Sequence, residues 1–152
     1  MIHALVAAGP IACIARVGHA PLGGDDPIEI TFADGAIFHI DIGFEHATDL
    51  RVETGTLLER AYGHLRTEDP AVFDAIAKDW TSETVDLPWA IGSVLTNPRR
   101  LAMTNPYRVD VGYVFDAGGR SFALLGEADY IWATDLDDEQ LASFGLEVGA
   151  PI

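Results

Sequence analysis

The sequence predicts an α+β fold, in which a mostly antiparallel sheet of about six to seven strands packs against two or three short helices. Three observations support this prediction. Apolar and polar residues alternate in stretches near both ends of the 152-residue chain. Between these stretches lie two segments with apolar residues at helical spacing. Glycine and aspartate separate the alternating stretches, as expected for strands that are joined by short turns.

The first two strands are predicted from residues 27–44, PIEITFADGAIFHIDIGF. Apolar side chains alternate with polar ones on both sides of Asp34-Gly35, a pair of residues that favours a tight turn. This pattern predicts an antiparallel hairpin with one buried face. The segment ATDLRVE then supplies a third short strand, which ends at Gly55.

Two helices are predicted in the middle of the chain. TLLERAYGHL places its apolar residues at helical spacing, with Thr56 as the capping residue. EDPAVFDAIAKDW repeats this pattern, with Asp69 as N-cap and Pro70 at the first helical position. The stretch SETVDLPWAIG that follows is interrupted by proline and is expected to be a loop with a short strand.

The strand pattern returns at Arg99. RRLAMT, YRVDVGYVF and RSFALLGEADYIWAT are predicted to be strands, and DAGG is the turn between the second and the third. Alternate residues of a strand share a face, so the middle strand is expected to group four apolar side chains: Val109, Val111, Tyr113 and Phe115. TDLDDEQLASFGLE closes the chain as a short helix that Asp135 caps and Gly145 ends.

The composition predicts a single domain over residues 1–152, located in the cytoplasm. Hydrophobic residues make up 49% of the chain, too many for a disordered acidic tail. The apolar opening ALVAAGPIACIA is interrupted by Gly9-Pro10, is too short to span a bilayer and lacks the basic start of a signal peptide. Cys13 is the only cysteine, so no internal disulfide can form, which fits a reducing compartment.

The strongest global feature is the charge. The chain has 24 acidic residues and 9 lysines and arginines, which give a formal net charge of −15. Nucleic acids and anionic membranes should repel such a chain, because both attract proteins through lysine and arginine. An acidic surface attracts basic proteins, so a basic protein is the expected partner. Four acidic residues that run along consecutive strands form the expected contact surface: Asp41, Glu45, Asp49 and Glu53.

The stretch FHIDIGFEH, residues 38–46, concentrates side chains that can do chemistry. Alternation places His39, Asp41 and Glu45 on one face of the predicted strand and the apolar side chains on the other. These residues are either the solvated face of a half-buried strand or, with His46, part of a metal or acid/base site. A zinc site needs about three or four ligands, and no further ligand stands at a recognised spacing. The sequence therefore favours the solvated face and predicts no catalytic residue, no metal and no cofactor.

Two further groups of residues are notable. Trp80 and Trp89 flank a proline-containing loop and either line a ligand pocket or, as is more common for such aromatic residues, anchor helices to a sheet. Arg99, Arg100 and Arg108 form the only concentration of basic residues. In so acidic a chain they are expected to pair internally or to mark an edge strand.

The hairpin IEITFADGAIFHIDIGF, the strand ATDLRVE and the tail DDEQLASFGLE together resemble the small single-domain immunity proteins of bacterial polymorphic toxin systems. The resemblance covers the two ends of the chain better than its middle. It implies a non-catalytic protein that binds a cognate toxin, often a nuclease or another cytosolic effector, and occludes the toxin's active site. No functional residues are carried over, because such families share no fixed ones.

Three functions fit these observations. The first, and the favoured one, is a non-catalytic acidic binding module, such as an immunity or inhibitor protein that occludes a basic partner. The second is a small metal-dependent hydrolase that uses His39, Asp41 and Glu45 or His46. The third is a structural or oligomerising domain whose edge strands pair, with RRLAMT or YIWAT as the edge. The identity of the partner and the oligomeric state are left open.

Overall fold

The computed structural model describes residues 1–42, 50–127 and 130–152. These residues form five α-helices, a 3-10 helix at Pro88–Ala90 and ten β-strands. The helices are α1 (Ile2–Ala7), α2 (Leu57–Tyr62), α3 (Leu65–Glu68), α4 (Pro70–Asp79) and α5 (Asp138–Phe144). The strands are β1 (Ile11–His19), β2 (Ile28–Phe32), β3 (Ile37–Ile42), β4 (Leu50–Thr54), β5 (Trp80–Thr84), β6 (Thr96–Met103), β7 (Val109–Ala117), β8 (Arg120–Glu127), β9 (Tyr130–Asp135) and β10 (Leu146–Pro151).

The strands form two antiparallel sheets. The N-terminal sheet has the strand order β4-β3-β2-β1-β5, and the C-terminal sheet has the order β10-β6-β7-β8-β9. The α+β class and the antiparallel pairing are confirmed, whereas the predicted strand number is too low. The apolar opening contains the unpredicted strand β1, and RSFALLGEADYIWAT forms the paired strands β8 and β9 instead of one strand.

One hydrophobic core joins the inner faces of the two sheets. Ile14, Ile30 and Ile40 from the N-terminal sheet are fully buried in it, together with Phe115 and Phe122 from the C-terminal sheet. The two phenylalanine rings lie on neighbouring strands, with their centroids 6.4 Å apart. Burial of these large apolar side chains holds the sheets face to face.

A second, smaller core lies on the outer face of the C-terminal sheet. Leu101 and Val114 are buried there with Leu136, and Leu141 of α5 packs against them. The short helix α5 therefore covers part of this face.

The predicted common face on β7 is wrong. Val109 and Val111 belong to the outer core, whereas Tyr113 and Phe115 contact the inner core. The pairing of β6 with β7 contains one extra residue of β7, at Val111. Such a bulge shifts the alternation by one residue and sends the following side chains to the opposite face.

The predicted starts of the two central helices are confirmed. The Thr56 hydroxyl accepts a hydrogen bond in the first turn of α2, and the Asp69 carboxylate does the same for α4. The backbone amide of Leu57 also donates to the Glu29 carboxylate at 2.8 Å, which ties the start of α2 to the outer face of β2. The longest described helix, α4, has ten residues, and none is long and apolar enough to cross a membrane.

The predicted cap of α5 is wrong by two residues. Asp137, and not Asp135, accepts a hydrogen bond from the backbone of Gln140, whose side chain in turn accepts one from the backbone of Asp137. Asp135 is the last residue of β9 and pairs with Arg120. Gly145 ends the helix as predicted, in a left-handed conformation.

Of the two strands predicted to lie at the edge of a sheet, one does so. RRLAMT lies mostly in β6, which pairs with both β7 and β10, so its predicted edge position is wrong. YIWAT lies in β9 at the edge of the C-terminal sheet. Contacts from other segments cover the start of this edge: the amide of Ile131 donates to the Gly24 carbonyl at 2.8 Å, and its carbonyl accepts from the Arg16 guanidinium. Backbone groups that are bonded in this way cannot pair with a strand of another chain.

Candidate functional site

His39, in the stretch FHIDIGFEH, is buried and not solvated. Its exposed fraction is 0%, and Arg60 of α2 lies against it on the outer face of β3. The predicted position in solvent is therefore wrong for His39, and the Asp41 side chain is only 14% exposed. Alternation along β3 identified the outer face correctly, but it carries no information on whether a helix covers that face.

Both ring nitrogens of His39 have polar neighbours. Nδ1 lies 2.9 Å from the carbonyl oxygen of Gly55. This oxygen can only accept, so Nδ1 carries the proton and donates it. Nε2 lies 3.4 Å from Nη1 of Arg60 and 3.6 Å from Oε2 of Glu53. In the neutral ring Nε2 accepts from the guanidinium, and His39 thereby links the end of β4 to α2.

Asp41 is the centre of a group of ion pairs on the same face. Arg51, directly opposite on β4, donates to its two carboxylate oxygens at 2.9 and 2.8 Å. Arg60 donates to Asp41 at 2.6 Å and contacts Glu53 at 2.8 Å. Burial alone raises the pKa of Asp41, but hydrogen bonds and charge from Arg51 and Arg60 outweigh it, so this pKa lies below its usual value. We call these residues the Arg60 network: His39, Asp41, Arg51, Glu53 and Arg60.

The Arg60 network holds α2 against the sheet, and its geometry disfavours the binding of a metal ion. Nη1 of Arg60 is 3.4 Å from the His39 ring and 2.6 Å from the Asp41 carboxylate, and it takes the position of a shared metal ion. A guanidinium at that point repels a cation. No group of three or more His, Cys, Asp or Glu within the described ranges is placed to hold a metal. Glu45 and His46, the other proposed ligands, lie outside the described residues.

Two of the four residues predicted to contact a partner lie close together. Asp41 and Glu53 are on the neighbouring strands β3 and β4, and Arg60 contacts both. Their charges are balanced by arginines of the same chain, so they do not form a free acidic patch. Glu45 and Asp49 lie outside the described residues.

The arginines are distributed among the carboxylates. In the described part of the chain, six of the eight arginines form ion pairs: Arg51, Arg60, Arg66, Arg99, Arg108 and Arg120. Of the others, Arg16 binds backbone carbonyls and Arg100 lies over the ring of Tyr113. For the basic group at residues 99–108, internal pairing is confirmed by the contacts of Arg99 with Asp116 and of Arg108 with Glu147. The arginines therefore form no basic patch on this surface.

An open groove lies on the C-terminal sheet, between β8, β9 and α5. Its volume is about 300 Å³, and we call it the Trp132 groove after its largest lining residue. The lining is mostly apolar and includes Leu125, Trp132, Leu136 and Phe144, with Glu127 and Gln140 among its polar members. Trp132 is 45% exposed and Phe144 is 52% exposed. The ring of Tyr130 stacks on that of Trp132, with centroids 6.2 Å apart.

One sequence signal for this groove is present in YIWAT, on β9. In YIWAT the residues Tyr130 and Trp132 stand two apart on a strand, so they share a face. No sequence pattern indicates that Phe144 lines the groove, because α5 and β9 are brought together only by the tertiary structure.

Trp80 and Trp89, which could have lined one ligand pocket, pack against different parts of the structure. The Trp80 ring meets His19 and Tyr62 edge-on, where α2 and α4 approach the end of β1. Trp89 packs edge-on against Phe122 of the inner core. Both tryptophans therefore act as structural anchors.

In comparisons with known proteins, no family matches this chain, and neither a curated protein nor a solved structure does.

Proposed function

We propose that this chain is a non-catalytic acidic binding module whose partner is a basic protein. One observation carries the proposal: six of the eight arginines in the described ranges are bound to carboxylates of the same chain, whose formal net charge is −15. The carboxylates that remain give the surface one predominant sign of charge. A field of this kind raises the association rate with an oppositely charged protein by roughly tenfold to a thousandfold.

The partner that we propose is an enzyme with a basic cleft, such as a toxin that acts on nucleic acid. This part of the proposal rests on the resemblance to immunity proteins. An enzyme that handles a polyanion binds it through lysine and arginine. An acidic module that fills such a cleft excludes the polyanion, and this inhibition needs no chemistry by the module.

The other two candidate functions have no comparable support. The guanidinium of Arg60 lies where a metal shared by His39 and Asp41 would be. The bonded backbone of Ile131 blocks strand pairing at the start of the β9 edge. Neither a hydrolase nor an edge-pairing domain is therefore proposed.

The test is co-purification, followed by a binding measurement with the partner that it identifies. Tagged protein is mixed with lysate of its source at low salt, eluted with a salt gradient and analysed by mass spectrometry. We expect one basic protein at high salt, and an affinity in calorimetry that falls steeply as salt screens the charges. An acidic or neutral partner, or an affinity that does not depend on salt, would contradict the proposal.

A charge-reduced variant separates electrostatic attraction from shape. Asp74→Asn, Glu83→Gln and Asp110→Asn together remove three negative charges at exposed positions that make no ion pair with the described residues. We expect slower association with the basic partner and an unchanged melting temperature. An unchanged association rate at low salt would contradict electrostatic steering.

A further inference from the structure

We propose that the Trp132 groove is where this module holds its partner, and that the occupant is a basic segment with one apolar side chain as its anchor. This inference rests on the proposed function, from which it takes the basic partner. It moves the proposed contact surface away from Asp41 and Glu53, whose carboxylates are already paired with Arg60.

The exposed aromatic residues are the first argument. Tyr130, Trp132 and Phe144 are 50%, 45% and 52% exposed; Trp132 and Phe144 line the groove, and Tyr130 stacks on Trp132. Phenylalanines of the inner core, such as Phe115, are fully buried. Exposed apolar patches mark interaction sites, and tryptophan and tyrosine are frequent among the residues that dominate binding energy.

The size of the groove defines the kind of apolar group that it can hold. At about 300 Å³ it is at the lower limit of small-molecule pockets, which range over roughly 300–1,000 Å³. A groove of this size suits one large side chain of a partner better than an extended cofactor. Leu125 and Leu136 form its floor and would contact the inserted group.

The charge at the rim is the second, independent argument. Glu127 lines the groove, and the chain that surrounds it has a formal net charge of −15. The Glu127 carboxylate forms no ion pair with another described residue. Arg120, at the start of β8, is already bound to Asp135. The rim is therefore complementary to lysine and arginine residues that flank an apolar anchor.

Charge argues against one alternative occupant, a second copy of the chain, and backbone bonding argues against another, an added strand. In a dimer related by a two-fold axis at the groove, Glu127 would lie close to its own copy, and two chains of charge −15 would approach each other. An added strand would need the backbone of β9, which is bonded at Ile131. A basic segment that inserts one side chain avoids both obstacles.

The test uses three synthetic peptides of equal length. The first carries one phenylalanine between lysines and arginines, the second has alanine in place of the phenylalanine, and the third has glutamine in place of the basic residues. Binding to the full chain is followed by NMR through the indole resonance of Trp132 and the amides of β9 and α5. We expect the first peptide to shift these resonances and to bind roughly tenfold more tightly than either of the others, because anchor and charge act together.

Two variants and two matched controls locate the binding site. Trp132→Thr removes the indole but keeps a strand-forming residue, and Glu127→Gln removes one rim charge. The controls are Tyr107→Thr, which removes a ring that is 72% exposed outside the groove, and Glu83→Gln on β5 of the other sheet. We expect Trp132→Thr to weaken the first peptide roughly tenfold and Glu127→Gln roughly threefold, with each control within about twofold of wild type.

The outcomes separate this inference from the proposed function. Equal binding of the phenylalanine and alanine peptides, or equal effects of Glu127→Gln and Glu83→Gln, would refute the groove while leaving an acidic module that binds by charge alone. Tight binding of the glutamine peptide would show an apolar site without preference for basic partners. A dimer that dissociates in Trp132→Thr, seen by light scattering, would show a contact between two copies. Either of these last results overturns the inference, whereas failure to co-purify a basic partner overturns the proposed function.

Discussion

Replacement of Arg60 by methionine should lower the free energy of unfolding by about 2 kcal/mol at neutral pH. Methionine keeps part of the apolar stem of arginine and removes its guanidinium. The change deletes the 2.6 Å contact with Asp41 and the 2.8 Å contact with Glu53. An exposed ion pair contributes about 0–1 kcal/mol, and loss of one partner of a buried pair costs about 3–5 kcal/mol. Asp41 is 14% exposed and keeps Arg51 as a partner, so the cost should lie between these ranges.

The effect should depend on pH through Asp41. Burial opposes its ionisation, but the two arginines prevail and its pKa is lowered in the folded protein. A carboxyl group with a lowered folded pKa stabilises the protein above its unfolded pKa, about 3.9, and this stabilisation is lost as the pH falls through the folded pKa. The difference between wild type and Arg60→Met should therefore be largest at neutral pH and shrink below about pH 4.

Urea denaturation of a double-mutant cycle measures this contribution. Arg60→Met, Asp41→Asn and the double variant should give a coupling energy of about 1–2 kcal/mol at neutral pH and a smaller one in acid. The control is Arg108→Met, whose ion pair with Glu147 is 3.3 Å long and has side chains that are 53% and 58% exposed. It should cost at most about 0.5 kcal/mol. A coupling energy near zero at neutral pH, or an equal loss in the control, would refute the reasoning.

Three other contacts can be tested by urea denaturation. His39→Leu should cost about 1 kcal/mol, because it removes the hydrogen bond between the buried His39 ring and the Gly55 carbonyl, and a loss below about 0.3 kcal/mol would contradict a stabilising role for this contact. Gly24→Ala should cost about 1 kcal/mol and displace the half-exposed Tyr130 ring, which a Cβ would overlap; unchanged Tyr130 resonances would contradict this contact. Asp137→Ala should cost about 1 kcal/mol through loss of the helix cap, more than the roughly 0.5 kcal/mol expected for Asp135→Ala.

Local patterns predicted the helix starts and the first hairpin because these features depend on residues close in the chain. Thr56 and Asp69 cap helices through contacts that lie three residues apart. Asp34 likewise accepts a hydrogen bond from the amide of Ala36, and Gly35 has a φ of 89° that favours glycine.

The face assignments failed where distant parts of the fold intervene. The bulge at Val111 is visible only in the pairing of β7 with β6. The sequence of β1 shows no clear alternation of apolar and polar residues, because its outer-face residues, such as Ala15 and Val17, are buried as well. A strand that is buried on both faces has no period of two in its hydrophobicity.

The sequence by itself determined the net charge, the α+β class and the alternation that separates the two faces of β3. Charge is a sum over residues and needs no coordinates, and alternation follows from strand geometry alone. Only the tertiary structure decided which carboxylates are paired and which apolar residues form a groove. Arg60 and Asp41 are 19 residues apart in the chain, and Trp132 and Phe144 belong to different elements. Ion pairs and apolar contacts depend on distance in space, so local sequence patterns do not reveal them.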